Sequence, residues 1–479
     1  MIIGREKELQ TLQVAYDSDY SEFVVVYGRR RVGKTFLVRE KFNYQFTFQH
    51  AGLANEGKRQ QLTSFRDSLV KQGFRPASVP ATWFEAFNLL EEFIAASPDS
   101  RKVVFIDEMP WMETPQSHFV PALEHFWNGF ASARKDVLLI VCGSATSWIV
   151  KNVFNNHGGL HNRVTRRIHL HPFTLHECEL LAQARQLALS RYDLLQCYMV
   201  MGGVPFYWNG LKKGLSVSQN IDTLFFARDG ELRNEFNALY ASLYTHPETY
   251  VRVISALAAK RIGMTRNEII EAGRLASSGK LSVVLENLEN CDFIRSYQGF
   301  GASKKCTIYQ LTDNFTLFYF KFMANHDGED EHFWSHMERS SQRAAWQGLA
   351  FEQVCFAHLS QIKQSLGISG VMTKAYSWRA LDDEERGPGT QIDLLIERAD
   401  KVINLCEIKF AAQEYLIDKA YDMKLRWKRA RFVNDTGTRA SVHLTFISTF
   451  GLVPNGYANE VQSQVTADDL FLPTRDRFA

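Results

Sequence analysis

A run of β-forming residues leads directly into a glycine-rich loop near the start of the chain. The segment reads VVVYGRRRVGKT and contains the spacing Gly28-x-x-x-x-Gly33-Lys34-Thr35. Gly28 and Gly33 permit a tight turn whose backbone N–H groups point at phosphate oxygens. Lys34 then reaches the β and γ oxygens, and the Thr35 hydroxyl ligates a metal ion. The loop therefore predicts an α/β fold in which a strand, this loop and a helix hold a nucleoside triphosphate with Mg²⁺.

Size, charge and cysteine content restrict the remaining possibilities. The chain has 479 residues, 45% of them hydrophobic and 23% charged, which is enough for several globular domains. Its net charge is only +2, so contacts with nucleic acid would depend on local basic patches. The seven cysteines are widely spaced and lack matching histidines, which indicates neither a zinc site nor a disulfide framework. We expect a cytoplasmic protein without membrane contact, because the start lacks an apolar signal segment and the longest apolar run, Val137 to Cys142, is short.

Strands and helices alternate over the first third of the chain. Short β-rich runs at 24–27, 103–106 and 137–142 are separated by amphipathic stretches, a pattern typical of a parallel sheet covered by helices on both faces. Later changes of pattern predict further domains. The predicted division is 1–172 for the nucleotide-binding core, 173–245 for a helical lid, 246–325 for a winged helix, 333–450 for a second α/β domain and 451–479 for a C-terminal tail.

Two further strands end in candidate catalytic residues. The apolar strand KVVFIDE ends in Asp107 and Glu108. Asp107 is predicted to hold Mg²⁺ and Glu108 to polarise the attacking water, and the alternative is a solvated acidic turn. The strand VLLIVCGSATS carries Ser144 at its end. Ser144 is a candidate sensor of the γ-phosphate, with an ordinary strand-ending turn as the alternative.

Phosphoryl transfer also gains from a cation placed on the developing charge. Arg163, Arg166 and Arg167 follow a glycine turn at 158–159 and are candidates for this role, with Arg163 the first choice. For each arginine singly, a solvated position away from the phosphates is the stronger alternative. Because such an arginine acts either within its own subunit or on a neighbour, an ATP-dependent homo-oligomer is among the expected assemblies.

These motifs resemble the prokaryotic and archaeal P-loop ATPases of the STAND type over roughly residues 1–325. The likeness rests on the segments GREKEL, GRRRVGKT, FIDE, CGSATS, the Leu160-x-x-Arg163 segment and GGVPFYW. The resemblance implies that the nucleotide is ATP, that Arg5 and Pro205 flank its base, and that the winged helix serves in nucleotide-dependent switching. The residues predicted to contact the nucleotide are Arg5, Gly28, Arg29, Arg30, Arg31, Val32, Gly33, Lys34, Thr35, Phe36, Asp107, Ser144, Arg163 and Pro205.

The segment 246–325 follows the pattern helix, helix, helix, hairpin. Thr265 and Glu268 form a capping box that opens the second helix. A core stripe is predicted on the third helix at Leu281, Val284, Leu285 and Leu288. The polar face of that helix carries two glutamates, which repel phosphate. We therefore favour intramolecular packing over DNA reading, with Lys304 and Lys305 of the hairpin as the best remaining DNA contacts.

A second constellation of charged residues lies in the last third of the chain. Glu352 falls within a predicted apolar helical stripe of Ala345, Leu349, Cys355, Phe356 and Leu359. A carboxylate there faces a partner or a metal, unless it escapes to water at a helix edge. Farther on, two strands joined by a turn at 398–401 place Asp393 across from Cys406 or Glu407, with Glu407 and Lys409 on one face. Adjacent strands bring such carboxylates close enough to share one metal ion.

The spacing Asp-x(n)-Glu-x-Lys is typical of Mg²⁺-dependent nucleases of the PD-(D/E)XK type. In that interpretation Glu352, Asp393 and Glu407 hold the metal, and Lys409 positions the attacking water. The helix at 415–431 adds a basic face with interleaved aromatic residues, suited to a phosphate backbone or simply solvated. Residues 333–450 resemble the restriction-endonuclease-like domain of unknown function commonly fused to these ATPases. No proline precedes Asp393, and such folds also serve as inactive binding modules.

The sequence thus predicts an ATP-driven, Mg²⁺-dependent switch that controls a nuclease-like domain acting on DNA. The alternative is a signalling or regulatory module whose C-terminal fold binds nucleic acid or a partner without cleaving. An ATP-dependent translocase is less favoured, because the sequence shows no second ATPase core and no helicase motif.

Overall fold

The computed structural model describes residues 1–155, 158–160, 162–244, 246–301 and 307–474. The helices are α1 (Glu6–Tyr16), α2 (Lys34–Lys41), α3 (Lys58–Lys71), α4 (Trp83–Ala96), α5 (Phe119–Gly129), α6 (Thr146–Ile149), α7 (Leu175–Ala184), α8 (Arg191–Met201), α9 (Pro205–Asn209), α10 (Val217–Ile221), α11 (Glu235–Leu243), α12 (Pro247–Ala259), α13 (Arg266–Ala272), α14 (Gly279–Asn290), α15 (Asn314–Phe318), α16 (Phe333–His336), α17 (Ser341–Ala357), α18 (Leu359–Ser365) and α19 (Lys419–Thr436). The strands are β1 (Glu22–Tyr27), β2 (Phe48–Ala51), β3 (Lys102–Asp107), β4 (Val137–Gly143), β5 (Arg166–His169), β6 (Met264–Thr265), β7 (Ile294–Gln298), β8 (Thr307–Leu311), β9 (Thr373–Ala380), β10 (Thr390–Arg398), β11 (Val402–Lys409), β12 (Ser441–Ser448) and β13 (Ser463–Thr466).

The chain divides into two compact units. The first comprises Met1–His171, Ala241–Thr245 and Ser282–Asp292, and the second comprises Pro172–Tyr240, His246–Leu281 and Phe293–Ala479. No helix in the described part of the chain is both long and apolar enough to cross a bilayer.

A parallel sheet with the strand order β2-β3-β4-β1-β5 forms the centre of the first unit. Strands β3 and β4 are buried along their whole length, because helices cover both faces and leave no polar side to alternate. This sheet confirms the predicted α/β fold and the three predicted strands. The short outer strands β2 and β5 were not predicted, since each has only four residues, most of them polar or aromatic.

The segment 246–325 follows the predicted helix and hairpin pattern in its described residues, although most of its third helix, α14, belongs to the first unit and its strands belong to the second. Strands β6, β8 and β7 pair antiparallel in that order. The capping box at the start of α13 is present, with Thr265 accepting from Glu268 N and Glu268 accepting from Thr265 N. The stripe on α14 is buried as predicted. Lys304 and Lys305, the proposed DNA contacts of the hairpin, lie outside the described residues.

A mixed sheet with the order β13-β12-β11-β10-β9 forms the C-terminal part of the second unit. The predicted hairpin of β10 and β11 is antiparallel, and β12 and β13 continue the sheet in parallel. The predicted tail at 451–479 is wrong in one respect, because β13 belongs to this sheet and Val465 is fully buried in it. A strand of four residues with one apolar core position gives too weak an alternation to be recognised in the sequence.

The predicted apolar stripe around Glu352 is wrong at its start and confirmed at Cys355. Ala345 and Leu349 are exposed, whereas Cys355 is buried together with Trp346, Ala350 and Val354. Both stripes satisfy helical spacing, since apolar residues surround most of this helix. Only the packing of its neighbours decides which side is covered.

Candidate functional site

The loop after β1 has the backbone that a phosphate site needs. Gly28 has φ 145° and Gly33 has φ 97°, conformations that other residues rarely adopt. A Cβ atom at Gly28 would lie 2.3 Å from the Leu170 carbonyl oxygen, so the loop packs too closely on the end of β5 for any side chain at this position. Helix α2 begins at Lys34, which places the positive end of its dipole at the loop.

Lys34 and Asp107 bring opposite charges to the loop. Lys34 is buried, and its Nζ donates to the carbonyl oxygens of Gly28 and Arg29, each at 2.9 Å. Burial lowers the pKa of Lys34, although the nearby carboxylate of Glu108 opposes this shift. Burial raises the pKa of Asp107, and its hydrogen bond with Thr35 opposes that rise.

The predicted metal ligands Thr35 and Asp107 lie side by side. Thr35 Oγ1 donates to Asp107 Oδ2 at 2.8 Å, and Asp107 Oδ1 accepts from Glu108 N at 3.0 Å. A hydroxyl and a carboxylate offer the oxygen ligands that Mg²⁺ prefers, so this pair fits the ion that the loop implies.

Glu108 and Ser144 contact each other directly. Ser144 donates its backbone N–H to Glu108 at 3.1 Å, and its hydroxyl lies 2.9 Å from Oε2 and 3.1 Å from Oε1. The sequence predicts Ser144 as a sensor of the γ-phosphate, and this role stays a prediction. The structure adds a partner in the candidate catalytic carboxylate, a pairing between the ends of β3 and β4 that the sequence did not reveal.

The remaining loop residues differ in exposure. Arg29 and Val32 are buried, Arg30 and Phe36 are exposed, and Arg31 is half-buried with φ 71°. Side chains that are exposed beside the loop are free to turn toward a ligand, whereas buried ones shape its backbone.

Arg5 lies at the same edge of the first unit as the loop. Its guanidinium donates to the carbonyl oxygen of His171 at 2.7 Å, and it contacts Glu8 at 3.8 Å. Pro205 opens helix α9 of the second unit, and the turn before it is held by a 2.7 Å hydrogen bond from Trp208 Nε1 to the Gly202 carbonyl.

Arg163 does not approach the loop within one chain. It precedes β5, whose first residue Arg166 pairs with Val24, while the loop follows the opposite end of β1. Val24, which lies level with the start of β5, is four residues before the loop residue Gly28. At 3.3 Å per strand residue, this spacing corresponds to roughly 13 Å. Arg163 is exposed. Arg166 contacts Glu22 at 3.2 Å and Arg167 lies over a phenylalanine ring, so neither of these alternatives is directed at the loop.

Glu407, in the C-terminal part of the second unit, is enclosed by cationic donors. It is 3% exposed, with Lys409 Nζ at 2.9 Å from one carboxylate oxygen and Lys428 Nζ at 2.7 Å from the other. Burial alone would raise the pKa of Glu407, but the two ammonium groups and a hydrogen bond from Tyr421 lower it to about 2. The sequence predicts Lys428 on the basic face of this helix, either facing a phosphate backbone or solvated, whereas the structure buries it. Its spacing of two turns from Tyr421 was the available signal that both residues share the buried face.

Glu352 and Asp393 line a cavity of about 480 Å³ together with Arg261 and Arg295. Burial and the charge of Asp393 raise the pKa of Glu352 to about 8, opposed by Arg261. Burial lowers the pKa of Arg261 to about 10, and Nη1 of this guanidinium has no hydrogen-bond partner in the described part of the chain. The pairing of β10 with β9 shifts register between Ile392 and Leu395, so an irregularity falls at Asp393.

The three predicted nuclease-site carboxylates are not gathered as a compact ligand set. Among the described residues, the histidine, cysteine and acidic groups whose ligand atoms all lie within 4.8 Å of one another are His169, His171 and Asp292, a cluster that the sequence analysis missed. Its local signal was the His-x-His spacing at the end of β5, because alternate residues of an extended segment share a face.

The basic face of α19 is largely neutralised. Arg426 contacts Asp422 at 3.0 Å and Glu460 at 2.8 Å, and Arg429 contacts the same glutamate at 3.4 Å. Lys419 and Lys424 are exposed. The face therefore offers a phosphate backbone fewer free cations than its sequence suggests.

The amino-terminal part of the chain matches a known family. Residues 2–209 fit the model of an ATPase domain predominantly from Archaea. An uncharacterized protein of Methanocaldococcus jannaschii is 25% identical over 417 residues, which cover 86% of this chain and 88% of that protein. An uncharacterized ATP-binding protein of the same organism is 38% identical over 40 residues, which cover 8% of this chain and 68% of that protein.

Solved structures are also similar to the chain, and two of them are described by their identity, coverage and TM-score. A Walker-type ATPase of Pyrococcus abyssi has 15% identity and a TM-score of 0.47, with 67% of this chain and 96% of that chain covered. The ORC2 protein of Aeropyrum pernix, solved as ADPNP-ADP complexes, has 13% identity and a TM-score of 0.42, with 66% of this chain and 92% of that chain covered.

Proposed function

We propose that this protein binds ATP with Mg²⁺ at the loop from Gly28 to Thr35 and hydrolyses it, and the match of residues 2–209 to the model of an ATPase domain predominantly from Archaea supports this proposal. The observation that carries the proposal is the 2.8 Å hydrogen bond between Thr35 and Asp107. It joins the end of the loop to the end of β3 as a pair of oxygen ligands, beside the buried ammonium of Lys34.

Each residue has a separate task in this proposal. Lys34 neutralises charge on the β and γ phosphates, and the backbone N–H groups between Gly28 and Thr35 hold the phosphate oxygens. Bound Mg²⁺ supplies further charge neutralisation in phosphoryl transfer. Glu108 orients the attacking water, and Ser144 positions Glu108 through the hydrogen bonds of its backbone and hydroxyl.

Two substitutions test binding and hydrolysis separately. Lys34→Ala is expected to abolish ATP binding measured by calorimetry, because it removes the cation that contacts the phosphates. Glu108→Gln is expected to bind ATP normally and to lower steady-state turnover about 100-fold or more, the usual loss for a general base. The exposed positions Lys71→Ala and Glu92→Gln serve as matched controls. Unchanged turnover in Glu108→Gln would remove its role as base.

A second candidate function concerns the C-terminal part of the second unit. We propose that the cavity beside Glu352 and Asp393 receives a phosphate group of DNA and a Mg²⁺ ion, as in a nuclease controlled by the ATPase domain. The supporting observation is the coupling of two carboxyl groups in one cavity, where the pKa of Glu352 rises to about 8 and Arg261 and Arg295 supply cations for a phosphate. A cation would relieve the repulsion between these carboxylates.

A different observation favours binding without cleavage. Both oxygens of Glu407 already contact lysines, so this carboxylate is a poor candidate for an open metal ligand. Lys409 is engaged by the same contact. A regulatory module that binds nucleic acid or a partner would retain such a satisfied ion-pair network.

One assay distinguishes cleavage from binding. Linear and circular DNA are incubated with the full chain and Mg²⁺ or Mn²⁺, with and without ATP, beside Asp393→Ala and Lys409→Ala. If the cavity is a nuclease site, cleavage is expected to fall at least 100-fold in Asp393→Ala and to persist in the exposed control Glu384→Ala. Cleavage that survives both site substitutions would refute the assignment. Intact DNA with nucleotide-dependent binding would support the module.

A further inference from the structure

Two histidines and an aspartate converge at the end of β5, next to the phosphate loop. Asp292 Oδ2 lies 3.0 Å from His171 Nδ1 and 3.7 Å from His169 Nε2. One ligand atom from each residue lies within 4.8 Å of the others. We propose that His169, His171 and Asp292 form a binding site for a single Zn²⁺ ion, which is separate from the Mg²⁺ that accompanies ATP.

The distances suit a first-row metal with nitrogen and oxygen ligands. Zinc binds imidazole nitrogen and carboxylate oxygen at about 2.0–2.2 Å, which places neighbouring ligand atoms about 3.3 Å apart in a tetrahedron. The observed separations of 3.0 Å and 3.7 Å bracket that value. Small rotations of the side chains therefore suffice to receive the ion. Two imidazoles favour Zn²⁺ over Mg²⁺, which prefers oxygen.

His169 provides an independent indication of a ligand. Its Nε2 atom is inaccessible to water and has no hydrogen-bond partner within the described ranges. A buried polar nitrogen without a partner is costly, and coordination would satisfy it. The ring of Tyr27 stacks on the ring of His169, with centroids 4.6 Å apart and an interplanar angle of 12°. This stacking fixes the orientation of the imidazole before any ion arrives.

The three ligands come from segments distant in the chain but within the first compact unit. His169 pairs with Tyr27 at the end of β5 and His171 lies two residues farther on, whereas Asp292 lies two residues after the end of α14 and has φ 59°. A shared ion would fasten the end of α14 to the strand beside the phosphate loop. Arg5 also lies near His171, but its charge is partly balanced by Glu8 at 3.8 Å.

The test measures metal binding and does not depend on ATP hydrolysis. The full chain is freed of metal with a chelator and titrated with ZnCl₂ by calorimetry, with MgCl₂ as the comparison. One equivalent of Zn²⁺ is expected to bind and to raise the unfolding temperature, since a ligand that binds the folded state stabilises it. Asp292→Asn and His171→Ala are each expected to weaken this binding at least ten-fold, while the exposed His125→Ala leaves it unchanged.

Two results would overturn the proposal. Absence of stoichiometric Zn²⁺ binding to the wild-type chain would show that the cluster is only a hydrogen-bonded ion pair. Binding that is unchanged in Asp292→Asn and His171→Ala would place the ion elsewhere, for example on cysteine thiols. Asp292→Asn preserves the size of the side chain, and circular dichroism of both variants separates loss of a ligand from loss of the fold.

Discussion

Glu108 combines an unusual backbone with a specific partner. Its φ of 45° and ψ of 45° lie in the left-handed region, which is uncommon for a residue with a side chain. Such conformations cost about 1–3 kcal/mol and cluster at functional sites. Glu108 comes directly after Asp107, the last residue of β3. Its carboxylate accepts hydrogen bonds from both the backbone N–H and the hydroxyl of Ser144. The geometry is therefore consistent with a carboxylate held in one position for catalysis.

Ser144→Ala tests this positioning. The change removes the hydroxyl donor at 2.9 Å but keeps the backbone donor at 3.1 Å, so Glu108 is expected to be less well ordered rather than displaced. We expect kcat for ATP hydrolysis to fall about 3- to 10-fold, a fraction of the full effect of a general base, with an unchanged KM for ATP. Steady-state kinetics check this, and Ser144→Thr should restore kcat. A raised KM with unchanged kcat would indicate direct contact with ATP instead.

At the level of secondary structure, a buried histidine joins α7 to the end of α17 in the second unit. Leu175 N donates to His358 Nε2 at 2.9 Å, and Nδ1 lies 2.8 Å from the Val354 carbonyl oxygen. This pairing requires the neutral imidazole with its proton on Nδ1. Burial lowers the pKa of His358 to about 4. The ring is fully buried, so protonation would both desolvate a charge and break the contact with α7.

Because the pKa of His358 is lowered in the folded protein, we expect the protein to lose stability in mild acid. This pKa is lower in the folded state than the ordinary value of 6.5, so the unfolded chain binds more protons between about pH 4 and 6.5. The free energy of unfolding should therefore fall as pH decreases through this window. In His358→Gln, urea titrations should show a shallower pH dependence, by up to about 1.4 kcal/mol per pH unit. The exposed control His332→Gln should keep the wild-type slope, and equal slopes in all three proteins would contradict the prediction.

At the level of the whole molecule, the position of Arg163 bears on whether several copies of the chain assemble. Within one chain it lies at the opposite end of the sheet from the phosphate loop. For Arg163 to act on the transferring phosphate, it must therefore reach the phosphate from a neighbouring copy. We propose that Arg163 acts in this way within an ATP-dependent homo-oligomer.

Mixing two inactive variants tests action between subunits. Arg163→Ala keeps its own Glu108, and Glu108→Gln keeps its own Arg163, so mixed oligomers contain some complete sites. We expect each variant alone to turn over ATP at least ten-fold more slowly than wild type, and the mixture to recover part of the activity. Mass in solution with and without ATP measures the assembly, and Arg59→Ala is the exposed control. A mixture no more active than its components would exclude this arrangement.

The sequence alone determined the features that depend on local spacing. The phosphate loop, the ends of β3 and β4, the capping box at Thr265 and the hairpin of β10 and β11 all involve residues a few positions apart. Turn geometry and the periodicities of strand and helix fix such relations without reference to the rest of the fold. For the same reason, the α/β class could be predicted from three strands although two others were missed.

Only the tertiary structure decided which distant groups meet. It directed Lys428 to Glu407, brought Ser144 to Glu108, and separated Arg163 from the loop. It also joined His171 to Asp292, which are 121 positions apart. A periodic pattern shows that a side chain lies on a given face, but the partner on that face depends on how the elements pack. The sequence therefore determined the phosphate loop and the strand ends beside it, and the packing determined the charge pairs around each candidate site.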